Sequence, residues 1–312
     1  MAQWEGSQAQ IVLIEETTLG TTPGTPTGVV LPKSSVEPLI GRKLVDNPTI
    51  PGDRLPQKKL RGRLDAGCRL QVPLHFESAG HVLKHAIATP TSSGTGPHTH
   101  TGTVGGALPE GAEIEIQQLD ALEYLLLKGL RADTFGLKVA DTGALIAELD
   151  FPGLDYDSWS GTATVAAPTE YSAEEPLDLT YATINIDSVA AAYLMGLQLN
   201  VAQGVDKDKY TAGNNGKRFS LARGMIAVTG SMDFLVLDTT LIAKAEQSQV
   251  STFDITVNQG TDKILTLTVT NAQLTFTRHQ INDAGAETAS LDFAAYGSAA
   301  LAYSLTNTTA SY

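Results

Sequence analysis

Gly67-Cys68-Arg69-Leu70-Gln71-Val72-Pro73-Leu74-His75-Phe76 places its apolar side chains at every second position. Cys68, Leu70, Val72, Leu74 and Phe76 fall on one side. A period of two is the mark of a strand with one buried face, here over Leu64–Phe76. The period changes immediately afterwards. Ser78 can cap a helix over Ser78–Ala88, and Val82, Leu83, Ala86 and Ile87 share one helical face.

Working outward, Val36–Ile40 reads as a short strand. Gly41–Gly62 reads as a long loop, because Pro48, Pro51 and Pro56 exclude an inner strand or a continuous helix. Thr17–Pro32, rich in Thr, Gly and Pro, reads as an extended arm. Thr89–Gly106 is a Thr/Ser/Gly loop. Ala112–Leu119, Tyr124–Leu137 and Ala144–Phe151 read as strands. Ser188–Ala202 reads mainly as a strand, with a helix as the alternative at its Ala-rich start. Gly204–Arg218 is a long polar loop, Leu221–Leu237 is strand-rich around Gly230, and Thr239–Ser248 is a helix with Asp238 as its cap. Thr252–Val257, Ile264–Phe276 and Thr288–Phe293 complete the strands.

The element order therefore occurs twice: strand, long loop, long strand, one short helix, then three or four strands. The first series ends in Ala147-Glu148-Leu149-Asp150-Phe151 and the second in Ala289-Ser290-Leu291-Asp292-Phe293, with Ala, Leu, Asp and Phe in register. The expectation is a duplicated fold, with an arm at 1–33 and repeats at 34–165 and 166–312. The alternative is two unrelated β segments.

The bulk numbers narrow the function. The chain has 312 residues, 42% of them hydrophobic, and a formal charge of −13. It can bury a core, but it lacks the excess of Lys and Arg that a duplex-DNA binder or an anionic membrane surface requires. One cysteine, Cys68, excludes an intrachain disulfide and a Cys-rich zinc site. Neither a signal peptide nor a membrane-spanning apolar run is visible, so synthesis in a reducing cytoplasm is expected.

Candidate chemistry is weak throughout, and no cofactor is expected. His81 and His85 share a helical face at metal-ligand spacing, but Val82 stands where a His-Glu-x-x-His motif needs Glu. His98-Thr99-His100 reads as a solvated loop. Gly213-Asn214-Asn215-Gly216-Lys217 is a loop-tip turn, with Arg218 where a phosphate loop needs Ser or Thr. Asp206 with Asp208, and Asp155 with Asp157, lack the rest of a calcium loop. Cys68 is a core residue. The aromatics are dispersed and read as packing. One charge feature stands out: no Lys or Arg occurs between Lys138 and Lys207, whereas Arg54, Lys58, Lys59, Arg61 and Arg63 form a basic run.

Leu19-Gly20-Thr21-Thr22-Pro23-Gly24-Thr25-Pro26 resembles the opening of tail tube proteins, the major tail proteins of long-tailed bacteriophages. The likeness continues through Leu31-Pro32, Ser34-Ser35-Val36-Glu37, the Arg-rich loop, the strand Gly67–Phe76 and its helix. It extends to Leu108-Pro109, Ala112–Leu119, Gly129-Leu130-Arg131 and Leu149-Asp150-Phe151-Pro152-Gly153. The resemblance implies a mainly β fold of two packed sheets flanked by a helix. Subunits of that family close into rings whose strands form a β-barrel, and the rings stack into the tube through which the genome passes. It implies partners: further copies of the chain, a tape-measure protein inside during assembly, and terminator proteins at the ends. It also implies a non-enzymatic virion protein of the tail. Most such subunits carry one tube fold and form six-membered rings; two folds per chain predict a trimer with pseudo-sixfold shape.

The expected inter-ring contacts are Arg54, Lys58, Lys59, Arg61, Lys207, Lys209 and Lys217. The expected acidic lumen or interface residues are Asp155, Asp157, Glu170, Glu174, Glu175 and Asp178. An acidic wall leaves no phosphate-binding sites, so DNA slides past without specific binding. The rival readings are a receptor- or glycan-binding β-sandwich of a tail tip or cell surface, and a β-sandwich hydrolase.

Overall fold

The computed structural model describes residues 4–50, 52, 55–140, 142–171, 175–191, 193–237, 239–280 and 286–312. The strands are β1 (Ala9–Glu16), β2 (Gly28–Leu31), β3 (Ser35–Val45) and β4 (Leu60–Pro73), followed by helix α1 (Ala79–Ala86). Next come β5 (Thr91–Ser93), β6 (His98–Thr103), β7 (Gly111–Gln118), β8 (Glu123–Leu130), β9 (Thr134–Val139), β10 (Ile146–Gly153) and β11 (Asp155–Ser160). The second half holds β12 (Ala182–Ile186), β13 (Val189–Ala190), β14 (Leu194–Ala202), β15 (Ala227–Leu235) and helix α2 (Thr240–Glu246). It ends with β16 (Val250–Asn258), β17 (Ile264–Gln280), β18 (Thr288–Ala295) and β19 (Leu301–Asn307).

The strands form two sheets. A five-stranded sheet has the order β11-β8-β7-β1-β2. A fourteen-stranded sheet runs β13-β12-β16-β17-β18-β15-β14-β9-β10-β4-β3, with β19, β6 and β5 branching from β17. The mainly β, sandwich-like class is as the alternation implies; no sheet of the described residues closes on itself within one chain. Apolar alternate residues of the facing sheets meet in one core. Ile11, Ile114, Leu125 and Leu127 pack toward Leu70, Leu149 and Phe151, and in the second half Phe253 packs on Phe293 with ring centroids 5.1 Å apart.

The pairing pattern of the first half recurs in the second. β1 lies between β2 and β7; β12 lies between β13 and β16. β4 lies between β3 and β10; β15 lies between β14 and β18. β8 joins β7 to β11, and β17 joins β16 to β19. The two Ala-x-Leu-Asp-Phe stretches occupy β10 and β18, each paired with the strand that leads into the helix. Phe151 faces Cys68, and Phe293 faces Gly230. Among the described residues the β5–β6 hairpin has no counterpart in the second half. The fourteen-stranded sheet runs unbroken across residues 165 and 166 through the β9–β14 pair.

Several local expectations change. Of the arm expected at 1–33, Ala9–Glu16 is β1, inside the five-stranded sheet, and within Thr17–Pro32 Gly28–Leu31 pairs with it, so neither stretch extends as an arm. The Gly41–Gly62 loop is shorter than expected, because β3 and β4 continue as a hairpin out to Val45 and Leu60. Tyr124–Leu137 is broken between β8 and β9, and Gly129 (φ 63°), next to the last residue of β8, helps turn the chain from one sheet to the other. β17 stays within the fourteen-stranded sheet and exchanges β19 for β18 as neighbour around Asn271 (φ 53°). Ser78 is buried and makes no side-chain cap; Asp238 lies outside the described residues. Thr89–Gly106 is not a free loop, since β6 pairs with β19 along six residues. His100 there is fully buried, held by Ser92 Oγ at 2.7 Å and Asn307 Oδ1 at 3.1 Å, not solvated.

Candidate functional site

A polar face extends across the sheet β3-β4-β10-β9-β14-β15-β18-β17. Directly paired residues share a face, so the registers define rows. One row is Ser35, Gln71, Glu148, Gly136, Asn200, Thr229. Another is Ile146, Lys138, Gln198, Ser231, Asp292, Thr275. Between these positions the apolar residues point into the core: Leu70, Leu149, Leu137, Leu199, Met232 and Leu291 are all buried. A wide polar surface backed by a continuous apolar layer follows directly from strict period-two strands.

Its charge leans acidic. Glu37, Glu148, Asp150, Asp233 and Asp292 stand at its rows against Arg69, Lys138 and Arg278. Several are tethered. Arg69 lies 3.7 Å from Glu37 and 3.8 Å from Asp150. Lys207 reaches Asp150 at 2.9 Å and Asp133 at 2.5 Å. Gln71 donates to Glu148 at 3.3 Å, and Ser290 donates to Asp233 at 2.5 Å. The ion pairs neutralise part of the charge on this face.

The acids expected from sequence lie elsewhere. Asp155 and Asp157 sit on β11, at the edge of the five-stranded sheet, paired with Lys217 and, at 2.6 Å, with Lys128. Glu170 accepts from Gln10 at 3.1 Å, and Asp178 accepts from the Thr180 amide at 2.8 Å. Glu175 is exposed, and Glu174 lies outside the described residues. Sequence reasoning followed the lysine-free span and passed over the polar-face acids. The usable signal was the aspartate shared by the two matching strands, Asp150 and Asp292, one position from a core Leu and a core Phe.

The basic candidates divide. Lys58, Lys59 and Arg61 lie on the exposed β3–β4 hairpin, where Lys59 pairs with Asp46 at 2.9 Å; Arg54 lies outside the described residues. Lys207, Lys209 and Lys217 belong to the β14–β15 connection, which folds back onto the first half. Arg218 anchors it, donating to Asp65 at 3.0 Å, to the Ala66 carbonyl at 3.0 Å and to the Gly153 carbonyl at 2.9 Å. Tyr210 donates to Asp65 at 3.2 Å, and the Arg63 guanidinium stacks 4.5 Å from the Tyr210 ring centre. The Gly213–Lys217 turn thus has the structural role of presenting Arg218.

The other titratable groups serve packing. Burial lowers His81 to about 4 and His85 to about 3, so both are neutral, and His81 meets Tyr171 at 3.0 Å. Burial pushes the Cys68 thiol up. Among the described residues no group of three or more His, Cys, Asp or Glu could hold a metal ion. No helix among them is long and apolar enough to cross a membrane. Trp4 and Trp159 are not dispersed but meet edge to face, 5.0 Å between centroids.

A mainly β chain with a polar sheet face, backed by core and bordered by strand edges, belongs to the class of sandwich-like proteins built from antiparallel sheets. The family model described as phage tail tube protein matches residues 6–295, and the chain belongs to that family. It is a structural protein of phage tails, not a member of an enzyme family. No curated protein matches it.

Proposed function

We infer that the chain assembles with copies of itself into stacked rings that form the tail tube, the conduit for DNA delivery into the host. Each chain carries two tube folds, the first built on β1–β11 and the second on β12–β19. Three chains make a ring of pseudo-sixfold shape. The polar face of the long sheet lines the lumen, and its acidic, tethered surface offers DNA no binding sites. The β3–β4 hairpin with Lys58, Lys59 and Arg61 reaches toward the adjacent ring. A tape-measure protein occupies the lumen during assembly, terminator proteins close the ends, and synthesis takes place in the host cytoplasm.

The observation that carries this reading is the β9–β14 pair. It joins the two recurring halves edge to edge, so four strands from each half make one continuous eight-stranded surface. Continuing that junction head to tail around an axis generates a closed ring, as heterologous contacts that close do. Electron microscopy of the purified protein at rising concentration tests it. Rings or tubes with threefold averages and pseudo-sixfold outline are expected. True sixfold rings of this chain reject the duplication, and discrete particles that never polymerise favour a receptor- or glycan-binding protein.

A further inference from the structure

The internal junction also specifies the junction between chains. This step rests on the two-fold-per-chain reading above. β3 corresponds to β14, since each flanks the strand leading into the helix. The C-terminal part of β17 corresponds to β9, since each flanks an Ala-x-Leu-Asp-Phe strand: Thr134-Phe135 faces Asp150 and Leu149, and Thr275-Phe276 faces Asp292 and Leu291. Inside the chain β14 and β9 are paired to each other. Among the described residues, by contrast, β3 pairs only with β4, and from Thr275 onward β17 pairs only with β18.

The register carries over residue by residue. Counting back two residues from Cys68 and from Gly230, the partners of Phe151 and Phe293, gives Ala66 and Val228. Ile40 lies opposite Ala66, and Val201 lies opposite Val228. Val201 pairs with Phe135, and both are fully buried, at 0% and 1% exposure. Their counterparts, Ile40 and Phe276, are 39% and 37% exposed. Both share the core side of the sheet with buried neighbours, Ala66 and Leu291. An apolar side chain on the core side of a free edge is surface that a further paired strand would cover.

We propose that Ile40 of one chain packs opposite Phe276 of the next, through antiparallel pairing of β3 with the C-terminal part of β17, in the register of Val201 with Phe135. The partner is therefore a second copy of this chain, bound head to tail. Opposed residues of such a pair have Cα atoms about 4.5–5.5 Å apart, within the span of a disulfide.

The test is oxidation of assembled rings carrying Ile40→Cys and Phe276→Cys in a Cys68→Ala background. Covalent dimers and trimers, with the trimer as the limiting species on a non-reducing gel, are expected. Leu39→Cys with Phe276→Cys places the thiols on opposite faces and is expected to cross-link at least tenfold less. Rings or tubes that form without the Ile40–Phe276 cross-link, or that link equally in the control, overturn the register while leaving the tube reading intact. Failure of the wild-type chain to form rings at all removes both. Should the cysteine variants not assemble, an electron cryomicroscopy map of wild-type tubes decides the same point: Cα atoms of Ile40 and Phe276 within about 6 Å across chains support the pairing, and a wider separation overturns it.

Discussion

Arg218 and Asp65 form an ion pair at 3.0 Å that ties the connection between β14 and β15 to β4 in the other half of the chain. The guanidinium is almost buried and also donates to the carbonyls of Ala66 and Gly153. Arg218→Ala is expected to cost about 2–4 kcal/mol, because it removes several charge-assisted bonds from an almost buried site. Arg218→Lys recovers only part, since an ammonium cannot reproduce the planar fork. Urea unfolding midpoints of the two variants check this; equal stability of wild type and Arg218→Ala would contradict it.

Gly230 stands where β15 must let Phe293 lie flat. A Cβ there would sit 2.2 Å from the Gln198 carbonyl oxygen and 2.3 Å from Phe293 Cζ. Gly230→Ala is expected to destabilise by about 1–3 kcal/mol through overpacking. Its counterpart Cys68 already carries a side chain opposite Phe151, so Cys68→Ala should be much milder. Thermal midpoints of both variants give the comparison.

Leu149 and Leu291 take the same place in the two halves, both buried. Truncation of either to Ala is expected to cost about 2–5 kcal/mol. A large loss at one site and none at the other, by denaturant titration, would break the structural equivalence of the halves.

Glu16 supplies a pH signature. Burial raises its carboxyl from 4.5 to about 7, against the opposing effect of amide bonds from Gly20 and Gly129. A raised folded value means its stabilising contribution is full below pH 4.5 and is lost as pH climbs through about 7. The stability of the wild type relative to Glu16→Gln, which stays neutral at every pH, is therefore expected to fall by on the order of 3 kcal/mol across that interval. His81 and His85 act in the opposite sense. Their folded values lie below 6.5, so their contribution is present above pH 6.5 and declines as pH falls toward about 4 and about 3. Unfolding curves every half pH unit for wild type and variant separate the two effects, because the histidines are common to both.

The polar face gives a functional prediction. Assembled protein with Glu148→Lys and Asp292→Lys is expected to retain DNA in a salt-dependent manner, with a log–log slope near −0.9 for each phosphate contacted. Wild-type tubes should show no such retention in filter binding. Identical behaviour of the two would remove these residues from the lumen wall.

What the amino-acid order determined by itself was everything local and periodic. Alternation at Cys68, Leu70 and Val72 marked β4, the helical face of Val82, Leu83 and Ala86 marked α1, and the paired Ala-x-Leu-Asp-Phe stretches marked β10 and β18, because side-chain spacing along one strand or turn depends on the backbone alone. Only the tertiary structure decided which strands became neighbours. The burial of His100 under Asn307, the return of Arg218 to Asp65, the edge pair β9–β14 and the acids of the polar face all join residues far apart in the chain. Such contacts leave no period in the sequence, since they arise from how whole sheets cover their apolar faces and not from any single stretch.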